Sequence, residues 1–266
     1  MFPDFFKHFT SLFPTLAPSL QIPGAIGLVL AGAAASFINM LAGGGSLITL
    51  TFLVFLGIDP ALANTSNRLG VTISCASGAA SYRHAGRSAL LKSLRLALWT
   101  LPGAIAGAFF SLQLEGVLFK RILTVVMIFV IATLLIPTSK KSVKPDISPW
   151  KKNLMGPLLL ITGFYGGFIQ VGVGFLLGAV LKHLGGMDLE EMNMHRICIT
   201  FFFTLPVLIL FALSGSILWP IAVTLSIGNA IGSWLTVKLA IKKGSRLIKI
   251  GMAAAILIIG AGMFIG

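Results

Sequence analysis

Side chains able to handle a ligand are scarce in this chain, and they fall into two matched sets. Asn39 stands shortly before Ala42-Gly43-Gly44-Gly45-Ser46, and Gln170 opens Gln170-Val171-Gly172-Val173-Gly174. A polar run follows each: Asn64, Thr65, Ser66, Asn67 and Arg68 after the first, then Asn193, His195 and Arg196 after the second. Glycines let the backbone turn tightly and approach a ligand. The helix that follows such a turn opens with unpaired N–H groups and about half a positive charge. Two such helix starts meeting from opposite sides suit a small oxyanion and need no buried lysine. Asn39 and Gln170 can donate amide hydrogens to the anion, or instead satisfy backbone groups freed by the breaks. Arg68 and Arg196 can serve as bidentate anion donors, or instead snorkel to the interface. His195 titrates near neutrality and suits either a proton-linked step or a structural cap. The candidate substrate-binding set is therefore Asn39, Gly43, Gly44, Gly45, Ser46, Asn64, Thr65, Asn67, Arg68, Gln170, Gly172, Gly174, Asn193, His195 and Arg196.

What is missing narrows the chemistry further. Asp4, Asp59, Glu115, Asp146, Asp188, Glu190 and Glu191 all fall in connections or tails, so a carboxylate proton relay has no carrier at depth. Cys75 and Cys198 sit singly inside apolar segments and read as small buried hydrophobes. The chain has no nucleotide-binding glycine loop, no HExxH, no CxxC and no Gly-x-Ser-x-Gly. No catalytic residue, metal or cofactor is expected, and neither ATP-driven transport nor membrane hydrolysis has support.

These residues must be held by a membrane scaffold. The 266 residues are 56% hydrophobic and 10% charged, with a mean hydropathy of +0.99, whereas soluble domains carry about 25% charged residues. Ten apolar segments are expected, near 23–41, 45–57, 66–82, 95–113, 117–137, 154–170, 174–185, 196–212, 217–237 and 247–265. Most suit a hydrocarbon core of about 30 Å. The second and seventh are short, and a run of about 12 residues covers only about 18 Å, so each forms a half-membrane or re-entrant helix behind a glycine tip.

The two halves can be overlaid. Phe37-Ile38-Asn39 then Gly43 matches Phe168-Ile169-Gln170 then Gly174, and Gly57-Ile58-Asp59 matches Gly186-Met187-Asp188. Gly103-x-x-x-Gly107 matches Gly228-x-x-x-Gly232, a spacing that suits close helix packing. The expected fold class is an all-α membrane protein of two inverted five-segment repeats. An amphipathic lead-in occupies 1–22, the first repeat 23–138, a linker 139–153 and the second repeat 154–266. With ten segments, one side collects Arg83, Arg87, Lys92, Arg95, the lysine-rich linker, Lys182, Lys238, Lys242, Lys243, Arg246 and Lys249. The positive-inside rule makes that side cytoplasmic and sends both termini outward. Fusing each broken pair into one span would move Lys182 off the linker side and make the copies parallel, so ten segments fit better. The net charge of +13 thus reports topology and not nucleic-acid binding.

The stretch Phe37-Ile38-Asn39-Met40-Leu41-Ala42-Gly43-Gly44-Gly45-Ser46, followed by Leu56-Gly57-Ile58-Asp59-Pro60-Ala61-Leu62-Ala63-Asn64-Thr65-Ser66-Asn67-Arg68, resembles the first signature of the TauE/SafE sulfite exporter family. The second copy returns as Gly163-Phe164-Tyr165-Gly166-Gly167-Phe168 through Gly174, then Asn193 to Arg196, with Gly-Val-Gly in place of the triplet. The resemblance covers about residues 23–265. It implies a multi-pass carrier of the inner (cytoplasmic) membrane for sulfite, thiosulfate or short organosulfonates. The partners expected are a small anionic substrate and the lipid bilayer, with homo-oligomerisation left open. A carrier of a neutral or cationic metabolite is the alternative, ahead of an intramembrane enzyme or a partner subunit.

Overall fold

The computed structural model of the chain describes residues 21–86, 90–114, 116–135 and 149–243. Within them the chain is helical throughout. The first run is α1 (Gln21–Ala42), α2 (Ser46–Phe55), α3 (Pro60–His84), α4 (Leu90–Gln113) and α5 (Gly116–Leu135). The second is α6 (Pro149–Phe168), α7 (Val173–His183), α8 (Leu189–Leu213) and α9 (Trp219–Lys243). The amphipathic lead-in, most of the linker and the tenth segment lie outside the described residues.

Local chemistry explains where these helices start and stop. α1 ends at Gly43 with φ +90°, and α7 starts from Gly172 with φ +72°, a left-handed conformation that glycine adopts without penalty. α3 and α8 begin earlier than their apolar runs, at Pro60 and Leu189 and not near 66 and 196. The Asp59 carboxylate accepts from Ala61 N at 2.9 Å and Leu62 N at 3.3 Å. Asp188 accepts from Glu190 N at 2.9 Å and Glu191 N at 2.8 Å. Such caps satisfy N–H groups that a helix start leaves orphaned, so the polar runs at Asn64–Arg68 and Asn193–Arg196 sit inside helices and do not open them. Likewise α6 starts at Pro149, inside the expected linker 139–153, because proline suits a first helical turn.

Four described helices are long and apolar enough to cross a membrane: Gly24–Ala42, Leu90–Gln113, Leu189–Leu213 and Trp219–Lys242. The stretches Gly45–Phe55 and Val173–His183 are apolar but short. α3 has the length without the hydropathy, since Asn64, Ser66, Asn67, Arg68, Thr72 and Ser74 are all buried. Its neighbours α1, α2, α5, α8 and α9 pack around it. Large apolar side chains such as Phe55, Leu91, Leu98, Trp99, Ile161 and Leu213 are exposed along the outside, the surface that hydrocarbon wets.

Contacts at successive levels fix the helix directions. Ser36 Oγ lies 2.6 Å from Ser74 Oγ, Gly32 and Gly70 both pack on Asn229, and Gly78 packs on Met40 and Val237. Helices α1, α3 and α9 therefore run parallel. On the other side, Gly103 and Gly107 of α4 face Leu160 and Phe164 of α6 in step, and Gly166 faces Phe203 of α8. Lys92 near the start of α4 pairs with Glu191 near the start of α8 at 2.7 Å, so α4, α6 and α8 run together. The two groups oppose each other across α3 and α8: Arg68 lies over Phe211, Gly78 touches Ile197, and Tyr82 meets Asn193 at 3.3 Å. The fourth helix of each run packs most extensively on the first helix of the other, α4 on α6 and α9 on α1. At both seams a methyl group on Gly103, Gly107, Gly228 or Gly232 would strike a facing carbonyl, so these glycines serve close packing.

Candidate functional site: a cavity between two broken helices

The two glycine breaks meet. A Cβ on Gly43 would fall 2.6 Å from Gly174 Cα and 2.5 Å from an Arg196 guanidinium nitrogen. Gly44 packs against the Phe175 ring, and Gly45 against Ala35 and Asn39. Residues with side chains would hold the two chain reversals apart. Beside the crossing lies a narrow cavity with a polar lining of Asn39, Ser46, Gln170, Arg196 and Thr200. Met40, Val71, Cys75, Val173, Gly174 and Ile197 complete its walls.

The electrostatics of the cavity follow from which helix ends are capped. Each break creates one C-terminus, with outward carbonyls, and one N-terminus, with outward N–H groups. The C-termini are capped by arginines from the opposite run. Arg196 donates to Asn39 O and Met40 O at 3.0 Å each, and its Nη2 also donates to Asn193 Oδ1. Arg68 donates to Gly166 O, and to Gly167 O at 2.7 Å. Asn64 adds Nδ2 to Phe168 O at 3.1 Å. The N-termini of α2 and α7 carry no side-chain cap at all. Guanidinium charge thus offsets the negative ends, while Ser46 and Gly174, at the uncapped positive ends, face the cavity. Its lining contains no carboxylate.

Both arginines are inside the protein, Arg68 fully and Arg196 at 4% exposure, so neither snorkels. Of the residues singled out from sequence, Asn39, Ser46, Gln170, Gly174 and Arg196 line the cavity, with Gly43, Gly44, Gly45 and Gly172 forming the turns around it. The others lie elsewhere. Thr65 donates to Ser216 O, and Asn193 joins Arg196 to Tyr82. Asn64, Asn67 and Arg68 belong to the buried face of α3. His195 points toward α4, with Nδ1 2.8 Å from Ser93 Oγ and Nε2 3.6 Å from Glu191.

Thr200 was not foreseen, yet the sequence carried a sign of it. It sits four residues after Arg196, on the same helical face, and the spacing recurs as Arg68 and Thr72. Thr204, another turn on, accepts from Gln170 Nε2 at 3.3 Å and orients that amide, whose Oε1 has no partner.

Long apolar helices, paired half-helices meeting at a polar cavity and a lipid-facing exterior define a multi-pass membrane protein of transporter type. Residues 28–263 match the model of the family described as "Sulfite exporter TauE/SafE", and the chain belongs to that family of membrane transporters. It is 30% identical over 220 residues to a "Probable membrane transporter protein" of Haemophilus influenzae, covering 82% of this chain and 86% of the relative. It is 27% identical over 226 residues to the Sinorhizobium "Probable membrane transporter protein ORF9", covering 84% and 85% of the two chains. Against the Escherichia coli K12 "Probable membrane transporter protein YfcA" it is 27% identical over 222 residues, covering 81% and 80%. No solved structure matches the chain.

Proposed function

We propose that this transporter is a secondary carrier or facilitator for a small sulfur-containing anion: sulfite, thiosulfate or a short organosulfonate. The observation that carries the proposal is the unequal capping of the two breaks. Both C-termini are met by buried guanidinium groups, while both N-termini open uncapped on one cavity. The result is a positive field with hydrogen-bond donors from Ser46, Asn39 and Thr200 within it. Oxyanions offer several acceptors in a small volume, which such a donor set matches. The "sulfite exporter" description of the family points to the same class of cargo.

The carrier works in the inner (cytoplasmic) membrane, with the linker side facing the cytoplasm. Arg83, Lys92, Lys182, Lys238 and Lys242 at that end support this orientation through the positive-inside rule. Opposed directions of α1 and α6, and of α3 and α8, support two inverted copies, a plan that brings half-helices together near the midplane.

The test is uptake into proteoliposomes of labelled sulfite, thiosulfate and methanesulfonate, each against an equal concentration of labelled glucose as a neutral control. Saturable flux of at least one anion, with glucose at background, is the expected result. Absence of flux for every anion overturns the assignment.

A further inference from the structure

The two runs of helices are built alike but are not in the same state. Around Arg196 the guanidinium holds two carbonyls and Asn193 Oδ1, Asn193 Nδ2 donates to the Tyr82 hydroxyl, the buried atom left over is an acceptor, Gln170 Oε1, and a cavity opens alongside. Around Arg68, at the equivalent place in the first run, pairing is incomplete. Arg68 Nε, Asn67 Nδ2 and Asn64 Oδ1 are buried and have no partner. All three residues are at most 1% exposed.

Orphaned donors inside a membrane protein are costly, and native proteins pair nearly all such groups. Two such donors side by side on one helix, Asn67 Nδ2 and Arg68 Nε, point to a partner that is present in another conformation. Phe211 shows what closes the space. It is fully buried and its ring lies 5.4 Å from the Arg68 guanidinium, where Tyr82 stands relative to Arg196. Thr72, the counterpart of the cavity residue Thr200, is turned onto Arg68 O at 2.8 Å.

We infer that Arg68, Asn67 and Thr72 form a second station for the same small oxyanion, sealed here by Phe211 and opened as the Arg196 cavity closes. The inference rests on the anion reading above and adds where the anion is held when the carrier faces the other way. Arg196 lies two turns from the end of α8 nearest the linker, and Arg68 a similar distance from the opposite end of α3. Exchange of the paired and unpaired arrangements between the two runs would therefore pass the anion from one third of the membrane to the other. Such exchange is the two-state behaviour that alternating access requires.

Cysteine accessibility tests this in the full chain in proteoliposomes. Cys75→Ala and Cys198→Ala remove the native thiols, and Thr72→Cys or Thr200→Cys supplies one reporter for an impermeant thiol reagent. Thr200→Cys is expected to label from the linker side and Thr72→Cys slowly from the opposite side only. Adding Phe211→Ala, or Phe211→Leu as a milder form, raises Thr72→Cys labelling about tenfold and lowers that of Thr200→Cys, as a population shift demands. Methanesulfonate slows both labelling reactions, and chloride at equal ionic strength does not. Thr72→Cys left unlabelled with both Phe211 variants, labelled equally from either side, or unprotected by methanesulfonate overturns the second station. Flux of sulfite, thiosulfate and methanesulfonate through the unmodified chain separates the two readings. Flux with no Thr72→Cys access sinks only this inference, and no flux sinks the anion assignment beneath it.

Discussion

At the scale of single residues, the central question is what a buried arginine is for. Arg68 and Arg196 are each bonded to backbone carbonyls at a helix end, and hydrogen bonds to charged groups are worth about 1.5–3 kcal/mol apiece. Arg196→Ala should lower the melting temperature in detergent, since Asn39 O, Met40 O and Asn193 Oδ1 lose their donor. Arg196→Lys keeps the charge but not the planar fork. It should melt closer to the parent and still lose about tenfold in anion affinity. A lysine variant with parental affinity would show that the fork is not needed. Gly43→Ala meets both a φ of +90° and the backbone of Gly174, so it should abolish transport even where protein is recovered. The glycine tips and the Asn39–Gln170 match were legible in the sequence because glycine clusters and polar side chains are rare in apolar segments. The arginines' partners were not. They are carbonyls 98 and 156 residues away, and a carbonyl leaves no mark in residue type. His195 misled for a related reason. Sequence proximity to Arg196 suggested a shared site, but adjacent residues on a helix point about 100° apart, and His195 faces Ser93 instead.

At the scale of elements, two devices set the scaffold: aspartate caps on the polar helices and glycine seams between the apolar ones. Asp188→Ala removes both hydrogen bonds to the first turn of α8 and should cost about 1 kcal/mol, read as a small melting shift with transport retained. Gly107→Leu should cost more, about 1–3 kcal/mol, because overpacking at the α4–α6 seam must push the helices apart. If Gly107→Leu melts like the parent, that seam is not closely packed. Among the described residues, nine of the ten expected segments and the shortness of α2 and α7 could be read from apolar run lengths. Helix starts could not, because hydropathy marks where lipid begins while a cap marks where hydrogen bonding begins. Asp59 and Asp188 lie seven or more residues before the apolar runs expected near 66 and 196. α3 shows the same limit from another direction. Its buried polar face makes it unlike a membrane span by composition, and only its enclosure by neighbouring helices explains how it sits there.

At the scale of the whole molecule, direction and charge are the governing facts. α1, α3 and α9 oppose α4, α6 and α8, and Arg83, Lys92, Lys182, Lys238 and Lys242 lie at one end, with Lys120 and Arg121 at the other. A reporter cysteine in the linker at 139–148 should therefore react with an impermeant reagent only from the cytoplasmic side of oriented vesicles, and one beside Asp59 only from the other. Equal reactivity of both from one side would contradict the orientation. The order of motifs suggested a duplication, but the crossing of α4 onto α6 and of α9 onto α1 left no sign in it, since no local pattern encodes which run a glycine seam will meet. The claim on which the proposed transport rests is that the uncapped starts of α2 and α7 together hold one anion. Anomalous scattering from crystals soaked in selenite, a heavier pyramidal analogue of sulfite, tests it most directly. A selenium peak within hydrogen-bonding reach of the Ser46 and Gly174 N–H groups is the predicted result. A peak confined to surface lysines, with the central cavity empty at saturating selenite, would contradict it.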